Sequence, residues 1–97
     1  MKVELDEMVL KEAIETYGSD AQIMMAVEEC AELVDALVKY RRGRNNTFDV
    51  MTEVADVQIM CAQLEMIFGG SSKVVEMERA RKMDRLRNRL SERDKDA

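Results

Sequence analysis

The sequence predicts an all-α domain of four helices, and three observations carry that expectation. The 97 residues contain no proline and only four glycines, so few positions interrupt a helix. Strong helix formers (Ala, Leu, Met, Glu, Lys and Arg) are abundant. Apolar residues recur at three- and four-residue spacing through four segments, which glycine-containing breaks separate. This length suits one domain, 1–97, closed by a charged tail over about residues 91–97. A core so small makes oligomerisation an expected source of stability.

The first helix is expected from Val3 to Tyr17, with Val9, Leu10, Ala13, Ile14 and Tyr17 on one face and Gly18 as its stop. Ser19 and Gln22 have capping-box spacing and open a second helix that reaches about Arg42. Its apolar stripe is Ile23, Val27, Cys30, Val34 and Leu37, with Glu28, Glu29 and Glu32 on the other side. Gly43-Arg44-Asn45-Asn46 breaks the pattern, and Asn46 or Thr47 can cap a third helix reaching about Phe68. That helix is apolar nearly all round, as a central buried element should be. Its main stripe is Val50, Val54, Val57, Cys61, Leu64 and Phe68. Gly69-Gly70-Ser71-Ser72 stops the chain again, and a last helix runs to about Leu90 with Ala80, Met83, Leu86 and Leu90 as its buried stripe. Connections this short favour antiparallel neighbours. Cys30 and Cys61 are expected as inert core thiols, and most of the nine methionines as adaptable core packing.

The absence of histidine removes Ser-His-Asp and Cys-His catalysis, His-ligated zinc and the Glu-x-x-His di-iron bundle. Any chemistry must rest on carboxylates. A net charge of −5 disfavours a nucleic-acid partner. The two cysteines form no C-x-x-C pair, which suits a reduced, cytoplasmic chain. No apolar run approaches membrane-spanning length, and Met1-Lys2-Val3-Glu4 lacks a signal-peptide pattern.

Glu28, Glu29 and Glu32 project from one patch of the second helix, which alone is the common pattern of a solvated acidic face. Glu53 and Asp56 are different. They project beside Met60 and Ile67 at the edge of the third helix's core stripe, and that helix has no basic residue to pair with them. An ionised carboxylate buried without a partner costs several kcal/mol, so a cation must come from elsewhere. Two explanations compete: a Lys or Arg from another helix, or a divalent metal shared with the second helix. Two helices offering carboxylates at i and i+3 can converge four side chains on one point. All-oxygen ligation suits Mg²⁺ or Mn²⁺.

Glu28-Glu29-Cys30-Ala31-Glu32, followed after about twenty residues by Glu53-Val54-Ala55-Asp56, resembles the E-E-x-x-E…E-x-x-D signature of the MazG-like all-α nucleoside triphosphate pyrophosphohydrolases. The likeness extends through Glu28 to Tyr40 and Glu53 to Gly69, and to Lys82-Met83-Asp84-Arg85-Leu86. Ala31 stands where many relatives have glycine. The resemblance implies a four-helix MazG-like bundle and Mg²⁺-dependent cleavage of the α–β phosphoanhydride of a nucleoside triphosphate, with Mn²⁺ a possible substitute. It carries metal ligation to Glu29, Glu32, Glu53 and Asp56, and a supporting role to Glu28 as acceptor, extra ligand or base. It also implies a homodimer or homotetramer with sites near subunit contacts. A dUTP- or dCTP-selective member is a narrower form of this reading. A non-catalytic helical assembly module, keeping its carboxylates for ion pairs or regulatory metal binding, is the alternative from another class.

From Lys73 onward nine basic residues face six acidic ones, whereas the rest of the chain has six against fourteen. Lys82, Arg85, Arg89 and Arg93 align beside the stripe of the last helix, as a solvated face with i, i+4 pairs or, for Lys82 and Arg85, as phosphate clamps. Lys39, Arg41, Arg42 and Arg44 suit the end of the second helix, from which a basic loop could also touch triphosphate. Met25 and Ala36 flank the glutamates, which suggests that this face is covered by a base or a neighbouring subunit.

Overall fold

Helix formation follows the breaks in the sequence closely. The computed structural model describes residues 4–69 and 73–96, and the order is α1 (Glu7–Tyr17), α2 (Ser19–Arg41), α3 (Thr47–Gly69) and α4 (Lys73–Asp96). No strand occurs among the described residues.

The ends differ from expectation for local reasons. The carboxylate of Asp6 accepts from the Met8 and Val9 amides, so α1 starts at Glu7; Val3 lies outside the described residues. Gly18 takes φ 92° and ψ 151°, conformational space that only glycine enters freely, and α2 begins directly after it. Ser19 is thus already helical and forms no capping box with Gln22, which is buried instead. Asn46 does not cap α3 with its side chain; its amide donates to the Ala36 carbonyl at 3.0 Å and ties the loop to α2. The fourth helix runs on to Asp96, so most of the charged tail is helical. Gly70, Ser71 and Ser72 lie outside the described residues.

The packing holds the larger surprise. The α2–α3 hairpin is the centre of the fold: Glu29 meets Glu53 and Asp56, and Ala36 meets Asn46, a nested order that makes the helices antiparallel. On α2 the covered positions include Gln22, Ala26, Glu29, Leu33 and Ala36. On α3 they include Glu53, Asp56, Met60, Gln63 and Ile67. Each set alternates steps of three and four, the geometry of a coiled-coil seam. Both expected stripes lie one residue C-terminal to these seams. Val27, Cys30, Val34 and Leu37 are exposed, with only Ile23 partly covered. On α3, Val50, Val54, Val57 and Leu64 are half-covered, while Cys61 and Phe68 are exposed. The small Ala26 and Ala36 side chains let α3 approach α2 closely, which favours the less apolar seam. On antiparallel helices a one-residue advance turns to the same side of both. The two stripes therefore lie on one side of the hairpin, largely exposed along α2 and half-covered along most of α3.

Other expected core residues are also open. Cys30 and Cys61 are free and exposed, and Met60 is the one buried methionine among the described residues. In α1, Leu10 is buried and Ala13 and Ile14 are partly covered, but Val9 and Tyr17 are exposed. Every α4 residue with a described side chain is exposed, including the whole Ala80, Met83, Leu86, Leu90 stripe, and α4 has no extended packing against α1, α2 or α3.

Candidate metal centre

The α2–α3 seam places carboxylates where a coiled coil ordinarily places leucines. One oxygen from each of Glu29, Glu53 and Asp56 lies within 4.8 Å of the others, and all three residues are half-buried. Glu29 Oε2 and Glu53 Oε2 are buried and accept no hydrogen bond. Like charges held this close repel, and nothing basic among the described residues forms an ion pair with any of them.

Electrostatics register that conflict. Burial, followed by the charges of Glu32, Asp56 and Glu53, pushes the Glu29 carboxyl above the ordinary carboxylate range. Burial, then the charges of Glu32 and Asp56, does the same to Glu53, with Asp49 adding to it. The sequence leaves two sources of compensating charge open, and no Lys or Arg among the described residues pairs with the cluster.

Of the other expected site residues, Glu32 is exposed at the rim, close enough for its charge to act on Glu29 and Glu53. Glu28 is exposed one position from the seam. Lys39 is bound to Asp35 at 2.8 Å along its own helix. Met25 is exposed, whereas Ala36 is buried. Lys82 and Arg85 sit on the unpacked α4, and neither forms an ion pair among the described residues.

Gln22 and Gln63 were not singled out as site residues, yet both are buried, and Gln63 Oε1 has no hydrogen-bond partner. Each lies seven residues from a cluster carboxylate (Gln22 from Glu29, Gln63 from Asp56), so the polar seam continues for two further turns. That spacing was the available signal. It was hidden because the more apolar stripes pointed elsewhere.

No family model, curated protein or solved structure matches the chain. The paired acidic motif and the geometry of its side chains therefore carry the functional reading.

Proposed function

We propose that this chain is a Mg²⁺-dependent nucleoside triphosphate pyrophosphohydrolase of the MazG-like kind, releasing a nucleoside monophosphate and pyrophosphate. The observation that carries the reading is the convergence of Glu29, Glu53 and Asp56 on a helix seam, with no ion pair to any of them among the described residues. Such a seam is costly to fold, and a ligand that neutralises it accounts for its composition. The donors are all oxygen, and two have buried oxygens without partners, so they fit a hard divalent cation. Glu29, Glu53 and Asp56 would hold Mg²⁺, or Mn²⁺ in its place, with Glu32 completing the set from the rim. When bound, the ion supplies neutralisation of phosphate oxygens and a lowered pKa for coordinated water.

The remaining work falls to the chain's own side chains. Glu28 is exposed beside the seam, and in this reading it would accept the proton of the attacking water. Lys82 and Arg85, without ion pairs among the described residues, are available to phosphate oxygens. Water adds to one phosphorus of the α–β bridge as the bridging oxygen departs on the other. The carboxylate of Glu28 takes the proton that water loses.

The working form is a homodimer or homotetramer in this reading, because the described residues of the protomer bury only a small apolar core. Its buried apolar residues among those described are Leu10, Ala26, Ala36 and Met60. Its accessible surface is 8069 Å², roughly 2,400 Å² more than the about 5,700 Å² expected of a monomer of 11.2 kDa. Its radius of gyration is 16.8 Å, against about 12.5 Å for a compact domain of this length. Two copies together carry an excess in the range that obligate dimers bury. No described helix is long and apolar enough to cross a membrane. The free Cys30 and Cys61 suit a cytoplasmic site of action.

The test is pyrophosphate release from a panel of ribo- and deoxyribonucleoside triphosphates with Mg²⁺. Release from at least one nucleotide, lost on chelation, is expected. Inertness toward the whole panel, with no metal-dependent stabilisation, would leave a helical assembly module instead.

A further inference from the structure

Resting on that reading for its cation, we infer that the α2–α3 hairpin has two alternative seams one residue apart, and that neutralising the carboxylate cluster decides which of them closes. With a divalent cation bound, the hairpin closes on the carboxylate seam, with Glu29, Glu53 and Asp56 inward. With the cluster bare, the two helices turn about their own axes in opposite senses by about 100°, the angle between successive residues, and close on their apolar stripes.

Both seams are complete in the chain. Each stripe residue follows a covered residue by one position: on α2, Val27 follows Ala26, Cys30 follows Glu29 and Val34 follows Leu33. On α3, Val54 follows Glu53, Val57 follows Asp56 and Cys61 follows Met60. Either set therefore keeps the alternating steps of four and three that a helix pair needs. Chemistry separates them. The carboxylate seam holds Gln22, Glu29, Glu53, Asp56 and Gln63, whereas neither apolar stripe contains a charged or amide side chain.

The carboxylate seam is the costlier one when bare. Glu29 Oε2, Glu53 Oε2 and Gln63 Oε1 are buried in it without a hydrogen-bond partner. Meanwhile Val27, Val34 and Leu37 are left 55%, 60% and 45% exposed. Closing on the stripes returns the carboxylates to water and takes apolar surface out of it, so both terms favour the turn. A cation that binds the converged carboxylates and not the dispersed ones shifts the balance back by its differential affinity.

Little braces the carboxylate seam against this turn. No ion pair among the described residues joins α2 to α3. The two helices are linked by residues 42–46, with Gly43 at φ 96°. Of the α1 residues only Leu10 is buried, and α4 has no extended packing against the hairpin.

The test reads both seams at once. Leu33 lies on the carboxylate seam and Leu37 on the apolar one, as do Cys30 and Cys61, the two cysteines of the chain. Wild-type protein is stripped of metal by chelation and dialysis. It is then footprinted by carbene labelling and alkylated with iodoacetamide, a neutral reagent, with and without saturating Mg²⁺ near pH 7. Mg²⁺ is expected to raise the labelling of Leu37, lower that of Leu33 and speed alkylation of both thiols by at least about 10-fold. A second copy covering the stripes would hide Leu37 without uncovering Leu33, so a change at Leu37 alone overturns the inference. No change at either leucine, in protein whose melting temperature Mg²⁺ raises, also overturns it. The triple variant Glu29→Leu, Glu53→Leu, Asp56→Leu, first confirmed as helical by circular dichroism, removes the charge conflict without metal. In metal-free buffer it should label and alkylate as Mg²⁺-loaded wild type does, and the metal-free wild-type pattern in its place overturns the inference. Glu53→Leu alone takes its place if the triple variant is not helical. If Mg²⁺ neither raises the melting temperature nor supports pyrophosphate release, the metal reading fails, and the leucine variant beside metal-free wild type still decides between the two seams.

Discussion

Glu29 of α2 and Glu53 of α3 face one another across the hairpin seam, each with one carboxylate oxygen buried and unpaired. Helix geometry brings them together, with Glu32 within hydrogen-bonding reach of both and no cation paired with either among the described residues. Folding therefore works against charge repulsion at this level of the seam whenever no cation is bound.

That conflict sets the pH dependence of stability. Both carboxyls keep their protons to higher pH in the folded chain than in the unfolded one. Above the ordinary carboxylate range the folded state thus binds more protons, and stability falls as pH rises through that interval. The metal-free protein should melt at higher temperature near pH 5 than near pH 7. Millimolar Mg²⁺ should reverse the loss at pH 7, since a ligand that binds only the folded state stabilises it by mass action. Thermal melts at the two pH values, with and without Mg²⁺, check both signs.

Replacing one of the pair by its amide separates stability from function. Glu53→Gln removes a charge from the cluster but keeps its shape, so the metal-free variant should melt higher than wild type at pH 7, with a flatter pH profile. Its Mg²⁺-induced stabilisation should largely vanish. Pyrophosphate release should fall by about 100- to 1,000-fold or more, the scale at which loss of a charge-stabilising group in a reacting site is felt. Steady-state assays beside calorimetry on the same preparation measure all three.

How much of this was legible in the sequence depends on which physical signal is followed. The breaks before α2 and α3 follow from Gly18 and Gly43, which take positive φ, because local breaks depend on backbone chemistry alone; α3 itself continues through Gly69. The carboxylates that converge, Glu29, Glu53 and Asp56, were legible from i, i+3 spacing on two antiparallel helices. The choice of seam was not. Apolar periodicity identified Val27, Cys30, Val34 and Leu37 as core, whereas the protomer covers Gln22, Ala26, Glu29, Leu33 and Ala36. A periodicity rule finds the most hydrophobic stripe without knowing which molecule covers it. On α4 the same rule marked Ala80, Met83, Leu86 and Leu90 as buried, and in the protomer all four are exposed.

Gly18 tests the turn that seats α1 on the hairpin. Its φ of 92° and ψ of 151° are strained for any side chain, although a Cβ there would meet nothing within 4 Å. Gly18→Ala should therefore cost about 1–3 kcal/mol through backbone conformation alone. Gly69 offers the contrast. It lies within α3 and likewise has no close neighbour, so Gly69→Ala should be neutral or stabilising by up to about 1 kcal/mol. Urea titrations of the two variants should shift in opposite directions, or shift for Gly18 alone.

Val34 tests the apolar face directly. It is 60% exposed in the protomer and stands in the middle of the unused α2 stripe, between Cys30 and Leu37. If a second copy covers that face, a carboxylate there is buried without a partner, at a cost of several kcal/mol. Val34→Glu should then dissociate the assembly at micromolar concentration, and because the protomer buries so little apolar surface, helicity and melting temperature should fall with it. Val34→Ala keeps the site apolar and should only weaken association, about 10-fold or less. The wild-type melting temperature should rise with protein concentration, and that slope should disappear in Val34→Glu. Sedimentation velocity on the series reads the masses. An unchanged assembly in Val34→Glu would mean that the face stays in water and that another surface joins the copies.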